Sequence, residues 1–389
     1  MNNSDFDKNI ATVSAHLNDL FEVEAVYRQR DGLVFSLTCR FDRRRSVKLI
    51  RDRLKMAGYK FTLTEGEQAL FLHIDPKQHF RIPTVNIVLF VLTLFSVYFV
   101  PVFLRNLQAA LISIVEQEAP RALTFVEEMS LVLSALPLAF NGALKDLAGG
   151  AGIEFTLALI SILFVHEMGH FIASRRRGII TSWPYFIPAP NIIGTFGAVI
   201  KSKSPFWNRR DLIEVGAAGP IAGWVVAIAW LLWGLSQSTY LPPEAFSLKE
   251  FGFSMEGESI LMRLATLTLV GPAPEGFYYR LTEAAFAGWV GILVTAINLL
   301  PIGQLDGGHI LYGLSRRRQF ILGRVAMVAL IILGFQSLMW WFFAAFGLIF
   351  GVKHPPTLND NRRPGAIATT MGIVALLILL FSFTPVPFR

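Results

Sequence analysis

The sequence predicts a polytopic α-helical membrane protein, with about six transmembrane helices and a possible re-entrant hairpin, preceded by a small N-terminal soluble α+β domain. The first observation is composition: 53% of the 389 residues are hydrophobic, and the mean hydropathy is +0.50. The second is that several apolar stretches reach the ~20 residues that a helix needs to cross a bilayer. The third is that residues 1–82 lack such stretches and show short hydrophobic runs at strand and helix spacing.

Residues 1–82 are expected to form a cytoplasmic α+β domain. The pattern predicts a helix over residues 5–21, two strands around a turn at Asp31-Gly32, a basic amphipathic helix ending at Gly58, and a second hairpin. The triple arginine at 43–45 leaves two interpretations open, a solvated helix start or a binding patch. The polar, acidic N-terminus is not typical of a signal or transit peptide.

The rest of the chain divides into a first transmembrane helix with a connecting segment, residues 83–150, and a core, residues 151–389. The predicted spans cover residues 83–104, 153–174, 212–235, 284–300, 324–351 and 366–384. The apolar stretch 129–144 is short and interrupted by Pro137, so we expect it to be interfacial or partly inserted. Residues 236–278 are predicted to be a polar, net acidic loop.

Lysines and arginines gather beside apolar stretches, at 175–177, 201–210 and 316–318, which predicts that these tracts face the cytoplasm. The net charge of +7 is explained by this topology, and no nucleic-acid partner is expected. The fifth span conflicts with this predicted topology, because a single crossing would put Lys353 on the side of the membrane opposite the cytoplasm. That span is either one tilted helix or two half-helices that return at residues 334–337. Cys39 is the only cysteine, so no internal disulfide is expected.

A metal-binding pattern lies at the end of the second predicted span, in His166-Glu167-Met168-Gly169-His170. On a helix, two histidines four residues apart share one face, as a zinc site requires. Polar and ionisable side chains inside a membrane are costly and by default serve function. The alternative is a pair of satisfied core histidines.

Asp306 is the candidate third ligand, since catalytic zinc needs three protein ligands and one open position. At 1.5 Å per residue, His170 lies about 8 Å before Arg175, and Asp306 lies at most about 15 Å before Arg316. The histidines and the aspartate can therefore meet at one depth below the cytoplasmic surface. The alternative is an ordinary capping or turn aspartate before Gly-Gly.

These residue types suggest hydrolysis. Zinc lowers the pKa of a bound water molecule and polarises a carbonyl oxygen. Glu167, between the two histidines in sequence, is the natural candidate for the general base. Asn298 could donate hydrogen bonds to the developing oxyanion, or it could satisfy helix carbonyls around the bend at Pro301. Since three ligands suffice, His309 and His354 are expected to be structural.

A Pro- and Gly-rich segment, residues 184–206, follows the motif helix and cannot be a normal transmembrane helix. Its IGTFGAVI stretch could form an extended edge that binds a peptide as an added strand. The candidate substrate-binding residues are Gly194, Thr195, Phe196, Gly197 and, again, Asn298. An ordinary loop or a structural re-entrant hairpin is the alternative.

These residues resemble the site-2 protease family of intramembrane zinc metalloproteases. HEMGH fits the family's H-E-x-x-H motif, and NLLPIGQLDGG fits N-x-x-P-x-x-x-L-D-G. YFIPAP, GTFGAVIKSKSP, GAAGP, the HPP at 354–356 and FTPVPF are similar to the branch found in bacteria, cyanobacteria and chloroplasts. The loop 236–278 is too short for the PDZ domain that some members carry.

The resemblance implies that His166, His170 and Asp306 bind one zinc ion per chain and that Glu167 is catalytic. It implies cleavage of a transmembrane protein substrate within or near the lipid bilayer, as in regulated intramembrane proteolysis. We expect a bacterial inner (plasma) membrane, with the N-terminus and the active-site opening on the cytoplasmic side. The N-terminal domain is expected to gate access or to bind a partner.

Two other functions stay open at this point. A catalytically silent chaperone or scaffold of the same fold would be favoured by loss of Glu167 or of a ligand, and neither is lost. A metal transporter would be expected to have further ionisable groups in other spans or an inverted repeat, and the third and fifth spans show neither.

Overall fold

A computed structural model shows how these segments are arranged. It describes residues 10–11, 13–29, 32–56, 59–66, 69–75, 82–115, 124–177, 179, 181–202, 206, 208–241, 258–272, 274, 277–357, 359–361 and 363–387. The predicted turn residue Asp31 and the predicted helix end at Gly58 lie outside these ranges.

The N-terminal domain is an antiparallel sheet with helices on one face, as the sequence predicts. Its elements are β1 (Phe21–Gln29), β2 (Gly32–Cys39), α1 (Arg43–Met56), β3 (Lys60–Glu65) and β4 (Leu70–Asp75). The strand order is β1-β2-β4-β3. Because side chains alternate along a strand, the sheet presents two distinct faces.

The two faces of this sheet have different partners. One face, which includes Leu72, packs against Ile50 and Leu54 of α1 in a fully buried cluster. On the other face, Phe71 packs against Ile179 and Val215, which lie outside the domain. The N-terminal sheet therefore rests on the helical core through its second face.

The helical part begins with four helices that are long and apolar enough to cross a membrane, within the residues described: α2 (Thr84–Val115), α3 (Phe125–Ala148), α4 (Ile153–Arg176) and α5 (Arg209–Ser236). The remaining helices are α6 (Ile260–Leu269), α7 (Glu283–Asn298), α8 (Asp306–Leu314), α9 (Arg316–Leu333), α10 (Leu338–Phe350) and α11 (Ala366–Ser382). Two strand pairs interrupt them, β5 (Tyr185–Pro188) with β6 (Thr195–Val199), and β7 (Thr239–Leu241) with β8 (Tyr278–Arg280).

The connecting segment differs from its prediction. The stretch 129–144, predicted to be interfacial or partly inserted, belongs to the longer continuous helix α3, which has the length and hydropathy of a span. A capping box formed by Thr124 and Glu127 begins this helix, and Pro137 lies inside it. Asn106 of α2 donates a 2.8 Å hydrogen bond to Asp146, which ties α3 to α2. The prediction treated Pro137 as an interruption, whereas apolar helices tolerate proline. How deeply the stretch is inserted stays a prediction.

The fifth predicted span is broken, and the alternative of two half-helices is confirmed. Helices α9 and α10 are separated at residues 334–337, where a side chain on Gly334 would overlap Trp341. Beyond α10, the carbonyl of Val352 accepts a 2.9 Å hydrogen bond from Gln319 near the start of α9. The chain thus returns to the side from which it came, so the conflict over Lys353 disappears.

The predicted loop 236–278 also contains regular structure. Helix α6 lies within it, with Ser259 as its N-cap, and β7 pairs with β8 across the segment. The prediction of a loop is wrong for these residues, because the short apolar helix was too brief to stand out from its polar surroundings. Residues 242–257 lie outside the described ranges.

Candidate metal centre

His166, His170 and Asp306 meet at one point in the helical core. Nε2 of His166 lies 3.2 Å from Nε2 of His170, and the Asp306 carboxylate lies 3.4 Å and 3.3 Å from these two nitrogens. Two ligands bound to a tetrahedral zinc ion are about 3.3 Å apart. The three donor atoms therefore have the mutual spacing of three corners of a tetrahedral site. They are the one such group of His, Cys and acidic residues in the part of the chain that the structure describes.

The orientation of His170 is fixed from the facing helix. Its Nδ1 lies 2.8 Å from the backbone carbonyl of Val215 on α5, so this nitrogen carries the proton and donates. Nε2 is then left with its lone pair directed at Asp306 and His166. Proteins commonly hold a metal-binding histidine in the required tautomer by a hydrogen bond from its other ring nitrogen to such a partner.

Glycines on α5 make the close approach of the two helices possible. A side chain at Gly219 would overlap the His170 ring, and one at Gly223 would come within 2.9 Å of Cβ of His166. Reciprocally, a Cβ at Gly169 would lie 2.6 Å from the carbonyl of Ala218. The small-residue cluster at 216–223 thus packs closely against the motif helix, and the histidine rings lie against it.

Asp306 is the first residue of α8, and the chain before it is tightly folded. Gly303 adopts a positive φ of 51°, and a side chain on Gly307 would overlap the carbonyl of Leu299. The N-cap of α8 is Leu305, and no side chain caps the helix. The alternative of a capping aspartate therefore does not describe Asp306, whose carboxylate points at the histidines.

Glu167 lies beside the three ligands and is only 5% exposed. Among the described residues, its carboxylate forms no hydrogen bond. A buried carboxylate without such a partner is unfavourable, so it is found mainly where function requires it. The burial of this carboxylate is compatible with the predicted role of Glu167 as a general base, which stays a prediction.

The segment predicted to bind substrate forms a β-hairpin. β5 and β6 pair antiparallel, with Tyr185 opposite Val199, and β6 packs against α4. Thr195 is buried and donates a 2.8 Å hydrogen bond to the carbonyl of Ile187, whereas Phe196 is 65% exposed. Gly197 has a positive φ of 93° with open space around it. The prediction of an extended edge is confirmed, and substrate binding stays a prediction.

Helix α2 anchors this hairpin. The buried side chain of Asn86 donates to the carbonyls of Trp183 and Pro184, at 3.1 and 2.8 Å. Ser96 donates to the carbonyl of Ala189 at 3.2 Å. A Cβ on Gly194 would lie 2.5 Å from Cα of Val97. The first span, which carries no motif, therefore fixes the position of the hairpin.

Asn298 is the last residue of α7 and is partly buried. The carbonyl of the next residue, Leu299, lies against Gly307, so Asn298 is close in sequence to the backbone that supports Asp306. Among the described residues, no hydrogen bond joins its side chain to the three candidate ligands. Its role in catalysis or in structure stays a prediction.

His309 and His354 pair with each other. Nδ1 of His309 lies 2.5 Å from Nε2 of His354. Gln319 is buried at the same place and accepts a hydrogen bond from the backbone of His354. This pairing joins α8 to the chain after α10, in keeping with the structural role expected for both histidines.

Sequence reasoning missed two contributors, the carbonyl of Val215 and the side chain of Asn86. Every residue has a carbonyl, so no residue type marks the one that holds His170. Asn86 offers a signal, since a lone amide in an apolar stretch needs a hydrogen-bond partner.

Residues 154–340 match the sequence profile of Peptidase family M50. This stretch of the chain, slightly less than half of its length, is similar to M50 peptidases. The matched stretch runs from α4 into α10 and contains His166, Glu167, His170 and Asp306. Its family is membrane-embedded, in agreement with the four long apolar helices.

The similarity to known proteins extends beyond residues 154–340. The probable zinc metalloprotease EGY2, chloroplastic, of Oryza sativa subsp. indica is 29% identical over 381 residues, which is 95% of this chain and 64% of that protein. EGY2 of Arabidopsis thaliana is 30% identical over 276 residues, 68% of this chain and 47% of the relative. EGY1 of the same plant is 30% identical over 242 residues, which is 61% of this chain and 43% of that protein. The chain thus spans less than two thirds of the length of these relatives.

Proposed function

We propose that this chain is an intramembrane zinc metalloprotease that hydrolyses peptide bonds of transmembrane substrates within or near the bilayer. The observation that carries the proposal is the triangle of two imidazoles and one carboxylate, with tetrahedral spacing, beside Glu167 in an M50 domain. The relatives named as probable zinc metalloproteases support it.

In this proposal, His166, His170 and Asp306 hold one zinc ion per chain. When bound, zinc would acidify water and polarise the scissile carbonyl. Glu167 takes the proton from the attacking water and delivers it to the leaving nitrogen. The helix α5 contributes by holding His170 through Val215 and by enclosing the histidine rings.

The β5–β6 hairpin is proposed to bind the substrate as an added strand along β6. A transmembrane helix must be unwound before its peptide bonds can be cut, and an edge strand binds the exposed backbone by main-chain hydrogen bonds. Gly194, Thr195, Phe196 and Gly197 lie on or beside this strand. Asn298 is proposed to donate to the developing oxyanion.

The proposed membrane is the bacterial inner (plasma) membrane, with the N-terminus and the active-site opening on the cytoplasmic side. The basic tracts at 175–177 and 316–318 lie at the end of α4 and the start of α9, and Lys353 returns beside the latter. Such tracts favour the cytoplasmic side. The EGY relatives carry the word chloroplastic in their names, which is a property of those proteins.

Substitution of Glu167 tests the proposal. The full chain is reconstituted in liposomes with a labelled single-span peptide whose helix contains glycine and proline. Glu167→Gln is expected to keep its zinc and to lose about 10²–10⁴-fold in cleavage rate, since the general base is removed. Glu154→Gln, at the other end of α4, is the matched control and should cut at the parent rate.

Two outcomes would contradict the proposal. One is a zinc-loaded Glu167→Gln protein that cuts as fast as the parent. The other is a zinc-loaded parent that cuts none of the membrane proteins trapped by Glu167→Gln from its own strain, which would support the silent scaffold.

A further inference from the structure

The N-terminal domain has a basic pocket that the proposed protease chemistry does not use. It encloses about 490 Å³ between α1 and the end of β3. Its lining consists of Arg43, Arg44, Val47, Lys48, Arg51, Asp52 and Glu65. Sites for small molecules have typical volumes of ~300–1,000 Å³, so the pocket has the size of such a site.

The cations of this pocket are not neutralised by the protein. Within the described residues, Arg43, Arg44, Lys48 and Arg51 form no ion pair, although Asp52 and Glu65 line the same pocket. Arg53 on the same helix differs, since it binds both oxygens of Asp19, at 2.7 and 2.6 Å. An ion-paired arginine and an unpaired cluster thus lie on different sides of one helix.

The spacing of the cluster concentrates its charge. Arg44, Lys48 and Arg51 are four and three residues apart, so they lie on one side of α1, and Arg43 adds a further charge. Like charges at this spacing repel each other and destabilise the helix. A bound anion would remove this repulsion. Guanidinium groups suit phosphate in particular, because they offer paired donors in a fixed plane.

The fold places this pocket away from the helical core. α1 packs on the sheet face that includes Leu72, whereas Phe71 on the opposite face contacts Ile179 and Val215. The sheet therefore lies between the pocket and the core. This placement favours a ligand from the aqueous phase over one from the bilayer around the core.

We propose that the pocket between α1 and β3 binds a phosphate-bearing anion, and that Arg44 and Lys48 supply its principal contacts. The same phosphate chemistry occurs in soluble polyphosphates and in lipid headgroups. A lipid source deserves its own experiment, since Phe41 and Leu49 expose apolar surface on the same helix segment. The proposal does not depend on protease activity.

The test is calorimetric titration of inorganic pyrophosphate into the full chain in nanodiscs of phosphatidylcholine. The parent is expected to bind saturably, and Arg44→Glu/Lys48→Glu is expected to bind at least about tenfold more weakly, which corresponds to about 1.4 kcal/mol. Arg45→Glu is the matched control, because Arg45 is exposed on the same helix but does not line the pocket. It should change the affinity by less than about twofold, allowing for long-range charge.

A second variant pair guards against misfolding. Arg44→Gln and Lys48→Gln alone remove one charge each, and each should weaken binding while the circular dichroism spectrum and metal content stay those of the parent. Equal affinity of the parent and the double variant would overturn the proposal, as would the absence of saturable pyrophosphate binding in both lipid arms.

The lipid arm replaces phosphatidylcholine by phosphatidylglycerol. If the natural ligand is a soluble phosphate compound, the affinity for pyrophosphate at physiological salt should be nearly the same in phosphatidylglycerol as in phosphatidylcholine. If phosphatidylglycerol abolishes pyrophosphate binding to the parent, the headgroup occupies the pocket, and the phosphate site stands with a lipid as its source.

Discussion

At the residue scale, the two histidines of the proposed metal centre depend on glycines that supply no ligand atom. Gly219 and Gly223 leave the space in which the rings of His170 and His166 lie. Replacement of a ligand removes a donor atom, whereas replacement of one of these glycines moves a donor atom out of place. The small-residue cluster on α5 therefore belongs to the metal centre.

Gly219→Ala is expected to weaken zinc affinity by at least about tenfold, an effect typical of lost support for a ligand, so that the protein retains less zinc after dialysis against a chelator. The added methyl group would overlap the His170 ring, which cannot yield without losing its bond to Val215. Metal analysis by mass spectrometry measures the result. Gly372→Ala in α11 is the control, since its methyl would meet only flexible side chains at 3.2–3.4 Å. Equal zinc in both variants would contradict this role.

The meeting of the three candidate ligands could be predicted from sequence, because they are residue types that are rare in apolar segments. The spacing of His166 and His170 and the depth of Asp306 were sufficient to predict that the three side chains meet, and metal binding by them stays a prediction. What the sequence could not provide is the partner of His170, because backbone carbonyls carry no residue signature. Nor could it show which glycine lies under which ring, since this depends on the rotation of α5 against α4.

At the scale of elements, helix α2 lies outside the M50 match yet holds the β5–β6 hairpin in place. The hairpin pairs only a few residues, and an isolated two-stranded sheet is marginally stable. Hydrogen bonds from Asn86 and Ser96 and the stacking of Phe90 on Phe186 supply the support that it lacks.

Asn86→Leu is expected to raise the KM for a transmembrane substrate about tenfold, with kcat within about twofold of the parent. The change removes two hydrogen bonds to the chain just before β5, each worth about 1 kcal/mol, and leaves the metal centre untouched. Kinetics in liposomes, with zinc content as a check, measure the effect. Thr93→Val is the control on the same buried face, since Thr93 makes no hydrogen bond to the hairpin among the described residues. A fall in kcat with unchanged KM would show that Asn86 acts in some other way.

The elements themselves differ in how well sequence predicted them. The long apolar helices α2, α4 and α5 were predicted within a turn at most ends, except that α2 continues to Val115. For the break between α9 and α10, the sequence left two alternatives open. A glycine such as Gly334 permits a break in a helix, but it does not determine the direction of the chain after the break. Tertiary contacts such as Gln319 to Val352 decide this, and they join residues far apart in sequence.

At the scale of the whole molecule, the N-terminal domain is seated on the helical core near the metal centre. Phe71 packs against Val215, and the carbonyl of Val215 holds His170. The sequence predicted the domain but not its position, because one aromatic side chain on a sheet face does not indicate its partner. Through Val215, the N-terminal domain is therefore connected by direct contacts to His170, a candidate zinc ligand.

Cross-linking tests this seating. In a Cys39→Ser background, Phe71→Cys/Ile179→Cys is expected to be joined in high yield by a short bifunctional maleimide, because the two side chains are packed together. Phe41→Cys/Ile179→Cys is the control, since Phe41 is exposed just before α1. Mass spectrometry of the digested protein identifies the product. Equal yields from both pairs would mean that the domain is not held in this position.

One zinc ion, held by His166, His170 and Asp306, is proposed to make this chain a hydrolase. The most direct measurement is the cleavage rate of metal-depleted full-length protein as zinc is added back in known amounts. The rate is expected to rise in proportion to zinc and to stop rising at one ion per chain, while Glu167→Gln takes up the same zinc without cleavage. Cleavage at the parent rate before any zinc is added, or a rate that needs a second ion, would contradict the claim.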